Sequence, residues 1–207
     1  GTAGKGGTGG TRGKGGTTST GGSGGTTATG GSGGTSTTGG TGGTTGEPGI
    51  AFVARTEKDP TGVRFAWSGS EVRFRFSGTD ASVRIDDNAQ FFSVLVDGNP
   101  GPNLETSSGE QSYPVATGLT DGEHEVRLYR RTEASFGDTL FLGVEINTGG
   151  TLLPPPAAPT RRIEVIGDSI TCGYGNEGAD QYCNFTADTE NHYLTYGAIT
   201  ARNLNAD

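Results

Sequence analysis

Methionine is absent from all 207 residues, so the chain carries no start residue and is expected to be a processed or partial product. Cysteine is scarce: Cys172 and Cys183 are too few for a disulfide framework or a cysteine-rich zinc site. In an oxidising compartment they could pair, or they could be two small buried side chains; their spacing does not choose. No apolar run approaches the ~20 residues that span a bilayer, and no charged-then-apolar leader opens the chain. Histidine occurs only as His124 and His192, which restricts the imidazole chemistry available. Residues 1–46 contain no acidic, aromatic or large aliphatic side chain. Built almost wholly of Gly, Thr and Ser, they have nothing to bury against the entropy of ordering and are expected to form a disordered tether. Within them Gly4-Lys5-Gly6-Gly7-Thr8-Gly9 matches Gly-x-Gly-x-x-Gly, but the strand and helix that a dinucleotide fingerprint requires are missing.

Beyond residue 46, 12 basic residues stand against 23 acidic ones, a net charge of −11. Affinity for a phosphate backbone rests on clustered Lys and Arg, so no nucleic-acid partner is expected. Residues 47–149 alternate short apolar runs with turn residues at the spacing of an all-β domain. Strands are predicted at 50–54, 63–67, 71–77, 81–86, 91–96, 111–116, 124–130 and 139–146. Val72, Phe74 and Phe76 alternate with Arg73 and Arg75, as in a strand with one dry and one wet face. Asp97-Gly98 and Asp121-Gly122 are turn dipeptides whose glycines can take a positive φ. Eight strands so connected predict a two-sheet sandwich of jelly-roll type. Trp67, Tyr113 and Tyr129 could stack on sugar rings, but a lone Trp at a strand end is more often core. His124, in an alternating strand with charged neighbours, is expected to be solvated and has no metal-ligand spacing to any partner.

Residues 150–160, with Pro154-Pro155-Pro156, read as a semi-rigid connector. After it comes Ile163-Glu164-Val165-Ile166-Gly167-Asp168-Ser169-Ile170-Thr171-Cys172-Gly173-Tyr174-Gly175. The β-branched run 163–166 predicts a buried strand of a parallel sheet, and Gly167 a sharp turn out of it. Ser169 then falls at the carboxyl end of a strand, where catalytic groups of open α/β sheets gather. Asp168 and Ser169 can also simply cap a helical turn.

This stretch resembles the first block of the SGNH (GDSL-type) hydrolases, in which the serine is the nucleophile. It is not the Gly-x-Ser-x-Gly elbow, because Thr171 replaces the second glycine. With Arg130-Arg131-Thr132-Glu133-Ala134-Ser135-Phe136-Gly137, the triple proline and Tyr196-Gly197-Ala198-Ile199-Thr200-Ala201-Arg202, the chain is similar to the family-two carbohydrate esterases over residues 47–207. The resemblance implies a jelly-roll domain followed by residues 161–207 as the truncated start of an α/β (SGNH, flavodoxin-like) domain. It implies a secreted bacterial enzyme that deacetylates plant cell-wall polysaccharide such as xylan or mannan, without cofactor or metal. Ser169 would be nucleophile and backbone oxyanion donor, with Gly167 and Asp168 supporting its turn. Histidine, its acidic partner and the other oxyanion donors would lie beyond residue 207. The other class the sequence admits is a tethered carbohydrate-binding or adhesion module without catalysis.

Residues 193–204 predict a helix. Glu177, Asp180, Asp188 and Glu190 read as a solvated acidic loop with no calcium-loop spacing. Asn184-Phe185-Thr186 matches a glycosylation sequon. His192 is tempting as a general base, but adjacency in sequence does not place it against Ser169. Because a strand at 163–166 would lack neighbours, residues after about 160 are expected to be open to protease.

Overall fold

A computed structural model describes residues 49–207; the tether expected at 1–46 lies outside them. Short β-branched and aromatic runs give twelve strands. They are β1 (Ile50–Val53), β2 (Glu57–Asp59), β3 (Gly62–Phe65), β4 (Glu71–Gly78), β5 (Ala81–Asp87), β6 (Phe91–Val96), β7 (Asn99–Pro100), β8 (Leu104–Glu105), β9 (Gly109–Ala116), β10 (Gly122–Arg130), β11 (Thr139–Ile146) and β12 (Thr151–Leu153). The first sheet runs β1-β4-β10-β6-β7, with β12 also on β4 and β8 also on β6; the second runs β2-β3-β11-β5-β9. Every ladder between these strands is antiparallel.

The predicted two-sheet sandwich is present, and the side-chain period of two builds its core. Val72, Phe74 and Phe76 on β4 and Val126 and Leu128 on β10 point between the sheets against Val83, Ile85 and Phe141. Phe52 meets Phe141 edge to face at 5.7 Å. Each such buried side chain contributes on the order of 2 kcal/mol. The four strands absent from the sequence reading, β2, β7, β8 and β12, are two or three residues long, too short to show a period. One of them shortens the connector read at 150–160, because Thr151, Leu152 and Leu153 pair with Ser77, Phe76 and Arg75. Asp97-Gly98 forms the expected tight turn, both residues having positive φ. Asp121-Gly122 does not: Gly122 opens β10 opposite Gly78.

The other face of the first sheet is neither wet nor apolar. Glu71 and Arg73 on β4, Tyr129 on β10 and Arg131 just after it are all buried. Residues 171–207 cover this face with α1 (Ser169–Cys172), two 3₁₀ turns (Ala187–Thr189 and His192–Leu194) and α2 (Tyr196–Asn203). The helix predicted over 193–204 is divided at Thr195, whose hydroxyl accepts the Ala198 N–H and caps α2.

Candidate active site

Ser169 is exposed and opens α1. Asp168 is the N-cap, its Oδ1 accepting the Ile170 N–H at 3.0 Å. A Cβ on Gly167 would lie 2.0 Å from Thr171 Oγ1, so glycine is required there by close approach and not by a positive φ. Thr171 is held in turn by the Tyr196 hydroxyl at 2.8 Å. Gly173 ends α1 at φ 89° against the Asn191 carbonyl, which a Cβ would meet at 2.6 Å. The serine thus sits on a short turn fixed at both ends.

The strand expected before it is different. Residues 162–167 belong to no strand or helix, and Ile163, Ile166 and Ile170 are 37%, 88% and 72% exposed. Burial of 163–166 is therefore corrected: among the described residues no strand lies along that run to cover it. One parallel bridge, Arg161 to Ala206, joins the run's start to the chain after α2, with Ile163 N–H donating to the Asp207 carbonyl at 2.7 Å.

Arg131 fixes the polar loop after Ser169. Its Nε donates to the Glu190 carbonyl at 3.2 Å, its Nη2 to the Asp188 carbonyl at 2.8 Å, and Nη2 also pairs with the Glu177 carboxylate. Of the acidic residues expected to be solvated, Asp180 and Asp188 are exposed, whereas Glu190 is fully buried. Aromatic contacts run from Phe136 to Phe185 and on to Tyr174, which stacks on Phe185 at 3.5 Å. At the far end Asp207 pairs with Arg73 at 2.6 Å. Arg73 shares Glu71 with Arg127; burial works against the Glu71 charge, but the two guanidiniums hold its carboxyl below the usual range. Sequence reading placed residues after about 160 in the open; residues 161–170 are largely exposed, whereas beyond them Thr171, Glu190, Asn191, Thr195 and Ala198 are buried.

Neither histidine faces the serine. His192 Nδ1 and the Tyr129 hydroxyl are hydrogen-bonded at 2.7 Å, and the two rings stack. Burial, helped by Arg202, lowers the His192 pKa to about 4. His124 is not the solvated residue expected: its ring bridges the Asp97 carboxylate at 2.7 Å and the Thr120 carbonyl at 2.8 Å. Of the three aromatics weighed for sugar contact, Tyr129 is buried and Tyr113 hydrogen-bonds the Ser107 backbone. Trp67 is 60% exposed, contrary to the core position expected of a lone Trp. Its neighbour Ser68 donates to Cys172 Sγ at 3.5 Å. Both cysteines are free thiols.

One cluster escaped the sequence reading. Glu133, Cys172 and Glu190 bring three donor atoms within 4.8 Å of one another. Glu190 Oε2 accepts the Glu133 N–H at 3.2 Å, while Oε1 is buried with no partner among the described residues. Burial raises the Glu190 pKa to about 7 and moves the Cys172 thiol upward.

The carbohydrate esterase 2 N-terminal family model matches residues 52–156. The cellulase/esterase CelE of Acetivibrio thermocellus is 47% identical over 161 residues, covering 77% of this chain and 20% of that protein. An acetylxylan esterase / glucomannan deacetylase of Cellvibrio japonicus is 30% identical over 161 residues, 77% of this chain and 44% of its own length. A solved family two carbohydrate esterase from Clostridium thermocellum, in complex with cellohexaose, superposes with a TM-score of 0.74 at 46% identity, covering 77% of this chain and 49% of that one. The chain therefore spans less than half the length of these relatives.

Proposed function

The chain belongs to carbohydrate esterase family 2, and from that premise we propose that it is the amino-terminal part of a secreted serine esterase that removes O-acetyl groups from plant cell-wall polysaccharide, xylan or mannan. The observation that carries the reading is the exposed Ser169 on a turn fixed by Asp168, Thr171 and Gly173. Its relatives are named esterases of carbohydrate. Secretion follows from the substrate, since an insoluble polymer is met outside the cell. Among the described residues no helix is long and apolar enough to cross a membrane.

In the proposed reaction Ser169 Oγ attacks the acetyl carbonyl while a general base takes its proton. The sugar hydroxyl leaves with that proton, and water then releases acetate from the acyl-serine. The Ser169 N–H, in the first turn of α1 where amides lack intrahelical acceptors, donates to the developing oxyanion. The base is a histidine outside this chain, because His124 is committed to Asp97 and Thr120, and His192 to Tyr129. Exposed Ile163, Ile166, Ile170, Leu194, Ile199 and Leu204 form the surface on which the rest of an SGNH α/β domain packs, extending the Arg161–Ala206 bridge into a parallel sheet. These 207 residues alone accordingly hydrolyse no acetyl ester.

Exposed Trp67 favours a second reading, a carbohydrate-binding module without catalysis. The two separate in one experiment on the full-length protein. Ser169→Ala lowers acetate release from acetylated xylan by several orders of magnitude, leaving the residual rate that binding and oxyanion contacts supply, while polysaccharide binding persists. A full-length protein that binds the polymer but releases no acetate before mutation supports the binding module; a Ser169→Ala variant of undiminished rate rejects Ser169.

A further inference from the structure

We infer that Glu133, Cys172 and Glu190 form a binding site for one divalent transition-metal cation of the zinc class. The three residues come from the loop after β10, the last residue of α1 and the end of the acidic loop. Their donor atoms lie within 4.8 Å of one another. Glu190 is fully buried, and its Oε1 has no hydrogen-bond partner among the described residues. A buried, orphaned carboxylate oxygen is costly unless something compensates it, and beside it stand only a thiol and a second carboxyl. A cation would compensate it.

The donor set selects the ion. Calcium and magnesium take oxygen ligands, whereas one thiolate with two carboxylates suits a borderline ion such as zinc. Zinc–sulfur and zinc–oxygen bonds of about 2.3 Å and 2.0–2.2 Å require only a modest closing of the three donors. Glu190 Oε2 stays on the Glu133 N–H at 3.2 Å, leaving Oε1 as the ligand atom. The Cys172 thiol proton passes to solvent on binding, and its Ser68 donor at 3.5 Å stays available to the thiolate. Three protein ligands leave a position for water. Such an ion ties the carboxyl end of α1, three residues from Ser169, to the sandwich, and this role is independent of whether the complete protein is an esterase.

The test uses the 207-residue chain stripped with chelator and titrated with cobalt(II) as a spectroscopic probe. One ion binds per chain and produces a cysteinate-to-cobalt charge-transfer band in the near ultraviolet. The band disappears in Cys172→Ser, persists in Cys183→Ser, and requires at least about tenfold more cobalt in Glu190→Gln. Zinc raises the melting temperature of the wild type and of Cys183→Ser but not of Glu133→Gln, a partly exposed position whose change is tolerated by folding. Absence of the band, its survival in Cys172→Ser, its loss in Cys183→Ser, or wild-type affinity in Glu190→Gln overturns the site.

Discussion

The sandwich and the segment after the connector are held by opposite means. In residues 50–153 an apolar interior is closed between two sheets, and its largest buried side chains include Phe74, Phe76, Phe92, Phe141, Ile85 and Leu128. In residues 161–207 the one hydrophobic residue of the core class is Ala198, while six isoleucines and leucines stand open. What secures this second region is Arg131, Tyr129 and Arg73 of the first sheet, reaching Glu177, His192 and Asp207. The sandwich is self-sufficient and the segment is borrowed: it folds where the sheet's outer face offers it partners.

That contrast can be broken from either side. Phe74→Ala, at a fully buried site, removes a ring from the centre of β4 and costs about 3–5 kcal/mol. Because the outer face rides on the same strand, both regions unfold together, seen as one shifted transition in urea. Arg131→Ala costs about 3 kcal/mol by leaving the carbonyls of Asp188 and Glu190 and the Glu177 carboxylate without their donor. Hydrogen exchange then rises over residues 173–198 while β4 and β10 stay protected; equal loss in both regions would mean that the segment is part of the sandwich's own core. In the unaltered chain, limited proteolysis cuts at 154–170 and spares 171–207, whereas cutting throughout 171–207 would show that the docking contacts do not hold.

The smallest effect is the pH dependence contributed by the His124–Asp97 pair of the sandwich. Hydrogen bonding to Asp97, then to Thr120, raises the His124 pKa above 6.5. This stabilisation is fully present below about pH 6.5 and is lost as pH rises through the raised folded value. Burial opposes the Asp97 charge, but the Glu125 amide and the His124 ring outweigh it and lower its pKa below 3.8. The Asp97 share is present above about pH 3.8 and lost as pH falls through the depressed value. His124→Gln removes the His124 share of the alkaline limb of the wild-type profile, read as the urea midpoint from pH 5 to 9, and leaves the segment's exchange unchanged.

The sandwich was legible because its signal is local. Val72, Phe74 and Phe76 alternate within one strand, and Asp97-Gly98 marks its own turn. The cap of the turn that carries Ser169 was legible for the same reason, a glycine and an acidic residue standing together in sequence. The docking surface was not, because its partners lie far apart: Tyr129 and His192 are separated by 63 residues, Arg131 and Glu177 by 46. Glu190 resembles any residue of a solvated loop until Arg131 and the Glu133 amide bury it. A trace existed in Arg127, Tyr129 and Arg131, an aromatic between two guanidiniums at alternate positions, which is unusual for a face meant only for water. The extended run 163–166 failed in the other direction, since β-branched residues form a strand only when another strand pairs with them.

Whether the turn at Ser169 presents a nucleophile is tested most directly by trapping the acyl-enzyme. The full-length protein is mixed with an acetyl ester, quenched in acid during the first turnover, digested and analysed by mass spectrometry. The account predicts an acetyl adduct on the peptide containing Ser169, absent from Ser169→Ala. An adduct on another residue, or acetate release at the wild-type rate by Ser169→Ala, would contradict it.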